Sequence, residues 1–176
     1  MERYRLSKVK PEMYGSIAEF RQEILDDDGN FDGCQQLDQY EDIEKWDLNC
    51  QLFEKADTVP PGYSLGFQYV YLDGDEVVGM INIRPEAETH FLLKQYGGHI
   101  GYEVKPSRRR QGIATKMLRD TLKLCKDEFR LKRVLITCLK DNEASRRVIM
   151  NNGGEFESDI VYPPKDEILE RYWIIL

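Results

Sequence analysis

The chain is 176 residues long, 41% hydrophobic and 32% charged, with a formal net charge of −7. Those proportions suit a folded chain with a sizeable core and exclude a disordered tail, and apolar runs such as 134–138 fall far short of the roughly 20 residues that a spanning helix needs. Two histidines, four widely spaced cysteines without a C-x-x-C pair, and a first stretch lacking the apolar core of a secretory signal point to a cytoplasmic protein with no metal, no disulfide framework and no membrane partner.

Tyr4 and Leu6 mark a short strand over 2–9. Pro11 opens a helix running to residue 25, with Met13, Ile17, Phe20 and Ile24 along one stripe. The polar stretch 26–33, DDDGNFDG, is a loop whose glycine and terminal acid are out of register for a calcium site. A second helix lies within 37–56, with Tyr40, Ile43, Leu48 and Leu52 as its inner face, and Pro60-Pro61-Gly62 closes it. From Ser64 the period becomes two: strands over 67–72 and 77–83 flank the turn Asp73-Gly74-Asp75. An irregular connection over 85–98, with a short helix near 91–95, leads to a strand over 99–104 that Pro106 stops. An amphipathic helix over 111–129 follows, with Ala114, Leu118, Thr121, Leu122 and Cys125 on one face. A strand over 133–138, a helix over 142–152 closed by Gly153-Gly154, and a hairpin of 156–162 and 168–175 around Pro163-Pro164 complete one mixed α/β domain over 1–176.

Charge is unevenly placed. Residues 1–60 carry a balance of −8 and residues 101–150 one of +8. An anion is expected to dock on the basic segment and a cation to be drawn to the acidic third. The basic stretch is too short, and the rest of the chain too acidic, for a nucleic-acid partner.

The most unusual stretch is Val104-Lys105-Pro106-Ser107-Arg108-Arg109-Arg110-Gln111-Gly112-Ile113-Ala114-Thr115. A strand ends, three arginines follow, and a glycine stands at the mouth of a helix. The first turn of a helix has backbone N–H groups without partners and a partial positive charge. Gly112 and Ala114 let an anion approach those donors, Thr115 can add a hydroxyl, and Arg108, Arg109 and Arg110 add charge, so the segment suits a phosphate or pyrophosphate. Neither G-x-x-x-x-G-K-[ST] nor G-x-G-x-x-G is present.

Arg109-x-x-Gly112-x-Ala114, after Val104-x-Pro106 and between a strand and a helix, resembles the acetyl-CoA pyrophosphate loop of the GNAT superfamily of acyl-CoA N-acyltransferases. The likeness runs from about residue 81 to the C-terminus; over the first 60 residues it extends only to the order of elements. It implies a mixed, mostly antiparallel sheet with a central splayed parallel strand pair, flanked by helices. Residues 1–60 would then be the acceptor-side strand and helices, 64–150 the acetyl-CoA-binding core and 155–176 the C-terminal hairpin. It further implies transfer of an acetyl group from acetyl-CoA directly to a primary amine, on a small molecule, polyamine or peptide. Backbone groups of Glu103 and Val104 would pair with the pantetheine arm, a backbone N–H on the splayed strand would serve the oxyanion, and residues Arg109, Arg110, Gln111, Gly112, Ile113, Ala114 and Thr115 would take the pyrophosphate. Asn142 and Ser145 match the family's asparagine-led helix start that lines the cofactor arm, and plain helix capping explains Asn142 equally well.

Glu103 and His99, on the strand beside the expected thioester, are the base candidates. Many members place a tyrosine seven residues after that asparagine as general acid; here the position is Ile149. A hydroxyl would have to come from Tyr102, Tyr172 or water, and a non-catalytic acyl-CoA-binding module is the alternative reading. The acidic first third suggests a cationic acceptor. Similar proteins commonly form homodimers, for which the hairpin 156–175 offers strands.

Overall fold

The computed structural model describes residues 3–176. Its strands and α-helices follow the expected order: β1 (Tyr4–Ser7), α1 (Tyr14–Asp26), α2 (Ile43–Phe53), β2 (Phe67–Asp73), β3 (Glu76–Ile83), β4 (Ile100–Val104), α3 (Ile113–Asp127), β5 (Arg133–Leu139), α4 (Glu143–Asn151), β6 (Glu155–Tyr162) and β7 (Glu167–Ile175). The opening strand is shorter than its pattern suggested, and residue 2 of that expected span lies outside the described residues. Pro11–Met13 form a 3-10 turn ahead of α1 rather than its first turn. The expected helix near 91–95 is a π-helical turn over Leu93–Gly97.

The strands form two antiparallel sheets, in the orders β1-β2-β3-β4 and β5-β7-β6. Side chains alternate across a strand, so the first sheet has two apolar faces and both must be covered. One face packs Val70, Leu72, Val77 and Met80 against Ile17, Phe20 and Ile24 of α1 and Trp46 of α2. The other packs Tyr71, Val78, Ile81 and Ile100 against Ile113, Met117, Leu118 and Cys125 of α3. The pairings Met80↔Glu103 and Ile81↔Tyr102 therefore send Glu103 toward the α1–α2 layer and Tyr102 toward the α3 layer.

The inner face of α2 differs from the expected one. Leu48 and Leu52 are exposed, whereas Ile43, Trp46, Asp47, Cys50 and Phe53 are buried. Both stripes have helical spacing. Trp46 decides between them: its indole removes a large apolar area from water, and its N–H donates to the Cys34 and Gln35 carbonyls, each at 3.0 Å.

Candidate active site

β4 and β5 meet at one point and then part. His99, just before β4, donates its backbone N–H to Leu135 O at 2.7 Å, and Leu135 N–H returns a bond to His99 Nδ1 at 2.9 Å. No ladder joins the two strands among the described residues. Beyond the junction, Tyr102 bridges the gap by bonding Ser145 Oγ at 2.8 Å, near the start of α4. This gap is the candidate cleft: α3 follows β4 on one side of it and α4 follows β5 on the other.

The α3 lip has the features of an anion site. Gly112 is the N-cap of α3 and adopts a left-handed backbone, φ 75° and ψ 7°, with no side-chain cap for the amides of Ile113, Ala114 and Thr115. Arg110 is left-handed as well, at φ 61°, an unusual state for a residue with a Cβ. Left-handed residues alternating with ordinary ones turn successive N–H groups toward one concavity. The Ile113 side chain itself is sealed in the core at 1% exposure, so this residue can offer only its amide. Gln111 and Gly112 are exposed, and Ala114 and Thr115 are half-buried.

The three arginines, expected to act together on the anion, diverge. Arg108 turns to the β2–β3 hairpin, pairing with Asp73 and with Glu76 at 3.0 Å. Arg109 pairs with Asp27 at 2.6 Å, Asp28 at 3.1 Å and Glu103 at 3.2 Å. Arg110 alone remains exposed beside the α3 amides with no ion pair among the described residues. Lys105, buried before this turn, pairs with Glu23 and Glu76, and Ser107 N–H donates to Glu23. Part of the acidic first third is thus spent on the basic segment: opposite charges far apart in sequence neutralise one another at the seam.

Glu103 is the centre of that seam. Its side chain is 11% exposed. Oε1 accepts from Val104 N–H at 2.9 Å and from Arg109, and Oε2 accepts from Asn30 Nδ2 at 2.9 Å. Burial pushes the carboxyl up to about 7, against the opposing pull of the Val104 N–H and Arg109. The Val104 amide, expected to be open for a cofactor arm, is occupied by this carboxylate, and its carbonyl accepts from Arg109 Nε at 3.3 Å. The loop after α1 reaches Glu103 by crossing β4 at Gly33, where a Cβ would lie 2.2 Å from Gly101 O and 2.4 Å from Tyr102 N.

His99 does not share the cleft with Glu103. Its ring is 1% exposed, Nδ1 is committed to Leu135, and burial holds its basicity below the ordinary histidine value. The sealed His99 ring already accepts the Leu135 N–H hydrogen bond at Nδ1, and neither feature suits it to meet an incoming amine. On the other side, burial raises the Tyr102 hydroxyl far above the usual phenol range, while its partner Ser145 stands behind the helix cap that Asn142 Oδ1 makes to Ser145 N–H at 3.0 Å. Ile149 is fully buried. The Tyr172 hydroxyl donates to Glu170 at 2.8 Å, which Arg146 also holds at 2.7 Å, so it is drawn into a network on β7.

Asn30, Asp27 and Asp28 escaped the reading of the sequence. They sit in a loop dismissed as a calcium site and meet their partners more than 70 residues away. No local pattern encodes that meeting.

A GNAT acetyltransferase domain model matches residues 27–155, and the chain belongs to that family. Similar solved structures include a ribosomal L7/L12 alpha-N-protein acetyltransferase, RimL, in complex with coenzyme A, at 18% identity and TM-score 0.72 over 100% of this chain and 96% of that one. The Salmonella typhimurium acetyltransferase that modifies the N-terminal serine of L7/L12 gives 21% and 0.70 over 100% and 96%. A chimera of the spermidine N-acetyltransferase SpeG from Vibrio cholerae and hSSAT gives 12% and 0.65 over 99% and 96%. At such identities the likeness is one of fold. No curated protein sequence matches the chain.

Proposed function

We propose that the chain is an acetyl-CoA-dependent N-acetyltransferase that moves an acetyl group directly to a primary amine. The observation that carries this reading is the buried Glu103 carboxyl, poised near neutrality at the α1–α2 side of the cleft, with uncapped amides at the α3 lip. Those amides, with Arg110, fit a diphosphate: they present donors without acceptors, and Gly112 puts no side chain in the way. Bound there, acetyl-CoA supplies an activated thioester. The chain does the rest. Glu103 takes the proton that an ammonium acceptor must lose, through Oε2 or Oε1, and general-base help of this kind contributes about 10²–10⁴-fold. Tyr102 and Ser145 offer a hydroxyl pair on the α3–α4 side, where Ile149 can offer none. Asn30 and Arg109 hold the carboxylate in place.

Asp28 and Asp32, whose charges act on Glu103, favour a cationic acceptor, though Asp27 and Asp28 are already matched by Arg109. One observation favours a second reading. Ile149 is sealed where many members carry their acid, as in a module that binds acyl-CoA without turning it over. Free thiol release from acetyl-CoA in the presence of a panel of primary amines decides between the two. Amine-dependent release that Glu103→Gln lowers by about 10²–10⁴-fold is the expected result; tight acetyl-CoA binding without release with any amine would leave the binding module.

A further inference from the structure

A cavity of about 320 Å³ opens to solvent between α2 and the β1–β2 edge, lined by Lys8, Asp47, Cys50, Glu54, Lys55 and Gln68 among others. It lies two strands away from β4, since Gln68 pairs with Asn82 on β3 and Asn82 with Gly101 on β4. Asp47, Cys50 and Glu54 fall at helical spacing on α2, so one stripe of that helix forms the wall.

Asp47 is the anomaly in this wall. It is 7% exposed, yet it has one hydrogen bond, from the Tyr14 hydroxyl at 2.8 Å, and no ion pair among the described residues. Tyr14, beside it, is pushed up to about 12 by burial and by its hydrogen bond to Asp47. A recessed carboxylate ordinarily has a cationic or multiple-donor partner. The lysines of the cavity do not provide it. Lys8 pairs with Glu54 and lies over the Tyr69 ring at 4.3 Å from its centre and the Phe67 ring at 5.1 Å. Lys55 stands at the exposed rim. Gln68 is saturated by the Gly33, Tyr69 and Ile81 carbonyls. Asp47 Oδ2 takes the Tyr14 bond, and the residue lines a space at the small end of ligand-site volumes.

We propose that this cavity binds a small primary ammonium, with the N⁺–H groups donating to Asp47 and the alkyl part lying along Cys50 and Val9. The site is separate from acyl transfer and does not depend on that reading.

Calorimetric titration of the full chain with n-butylammonium chloride, against matched sodium chloride, tests this. Saturable one-to-one binding is expected, at least tenfold weaker in Asp47→Asn, which keeps an acceptor for Tyr14, and unchanged in Glu103→Gln or with saturating coenzyme A. No saturable heat, equal affinity in Asp47→Asn, loss in Glu103→Gln, or preference for n-butyrate would each overturn it. Should Asp47→Asn fail to fold, Gln51→Trp, at an exposed position on the cavity wall, replaces it: blocked binding is expected and undiminished binding overturns the site.

Discussion

Asn30, in the loop after α1, donates its side-chain amide to Glu103 Oε2 at 2.9 Å across 73 residues of sequence. The bond places the first third of the chain directly on the carboxyl of β4. The Arg109 guanidinium reaches the same carboxylate from the anion loop at 3.2 Å. One group therefore feels both the loop after α1 and the lip proposed to hold the diphosphate.

The pH dependence of transfer should report Glu103. Its carboxyl is raised to about 7 by burial, so the basic form grows as pH rises and kcat/KM should climb to a plateau just above neutrality. Glu103→Gln should remove this limb and lower the plateau by about 10²–10⁴-fold. A profile that keeps its inflection in the variant would remove Glu103 as base.

Donors to the carboxylate stabilise its charged form. Asn30→Ala and Arg109→Met should both move the inflection upward, and Arg109→Met should also weaken coenzyme A binding. An inflection that stays or falls in Asn30→Ala would show that the bond does not tune the base.

Gly112→Ala isolates backbone conformation at the anion lip. A Cβ there meets nothing within 4 Å, but φ is +75°, which costs an ordinary residue about 1–2 kcal/mol. A modest fall in thermal stability and a larger loss of coenzyme A affinity are expected, read by melting and by calorimetry. Unchanged affinity would separate this turn from the ligand.

Gly33→Ala should be far worse, because its Cβ would collide with the backbone of Gly101 and Tyr102. The loop must lift from β4, taking Asn30 off Glu103. Chemical denaturation should show a loss of about 2 kcal/mol or more, and the upward inflection shift of Asn30→Ala should recur.

His99 should affect stability and leave the activity profile alone. Its basicity is depressed by burial, so the folded state binds fewer protons than the unfolded one near pH 6. Stability then rises with pH there, and is lost as pH falls below the ordinary histidine value of about 6.5. His99→Gln should flatten that slope in denaturation curves at pH 5 to 7 while the kcat/KM inflection stays in place.

Much of this was legible in the residues. The stripe Met13, Ile17, Phe20 and Ile24 is buried as its spacing implied, the turn at Gly74 pairs Asp73 with Glu76, and the strand–loop–helix around Gly112 has the form its glycine and proline dictate. Each is a local matter: periodicity, turn chemistry and capping act within a few residues. The inner face of α2 was not local, because two helical stripes competed and the Cys34 and Gln35 carbonyls chose Trp46.

The sequence by itself determined the order of the elements, their family and the glycine-led start of α3. Only the tertiary structure decided which charges are free. Arg108 and Arg109 read as a basic patch, but folding sets them against Asp73, Glu76, Asp27, Asp28 and Glu103. Coulomb energy depends on distance in space, and burial raises or lowers a group's proton affinity only once neighbours have replaced water. Neither quantity exists along the chain until the loop after α1 has closed over β4.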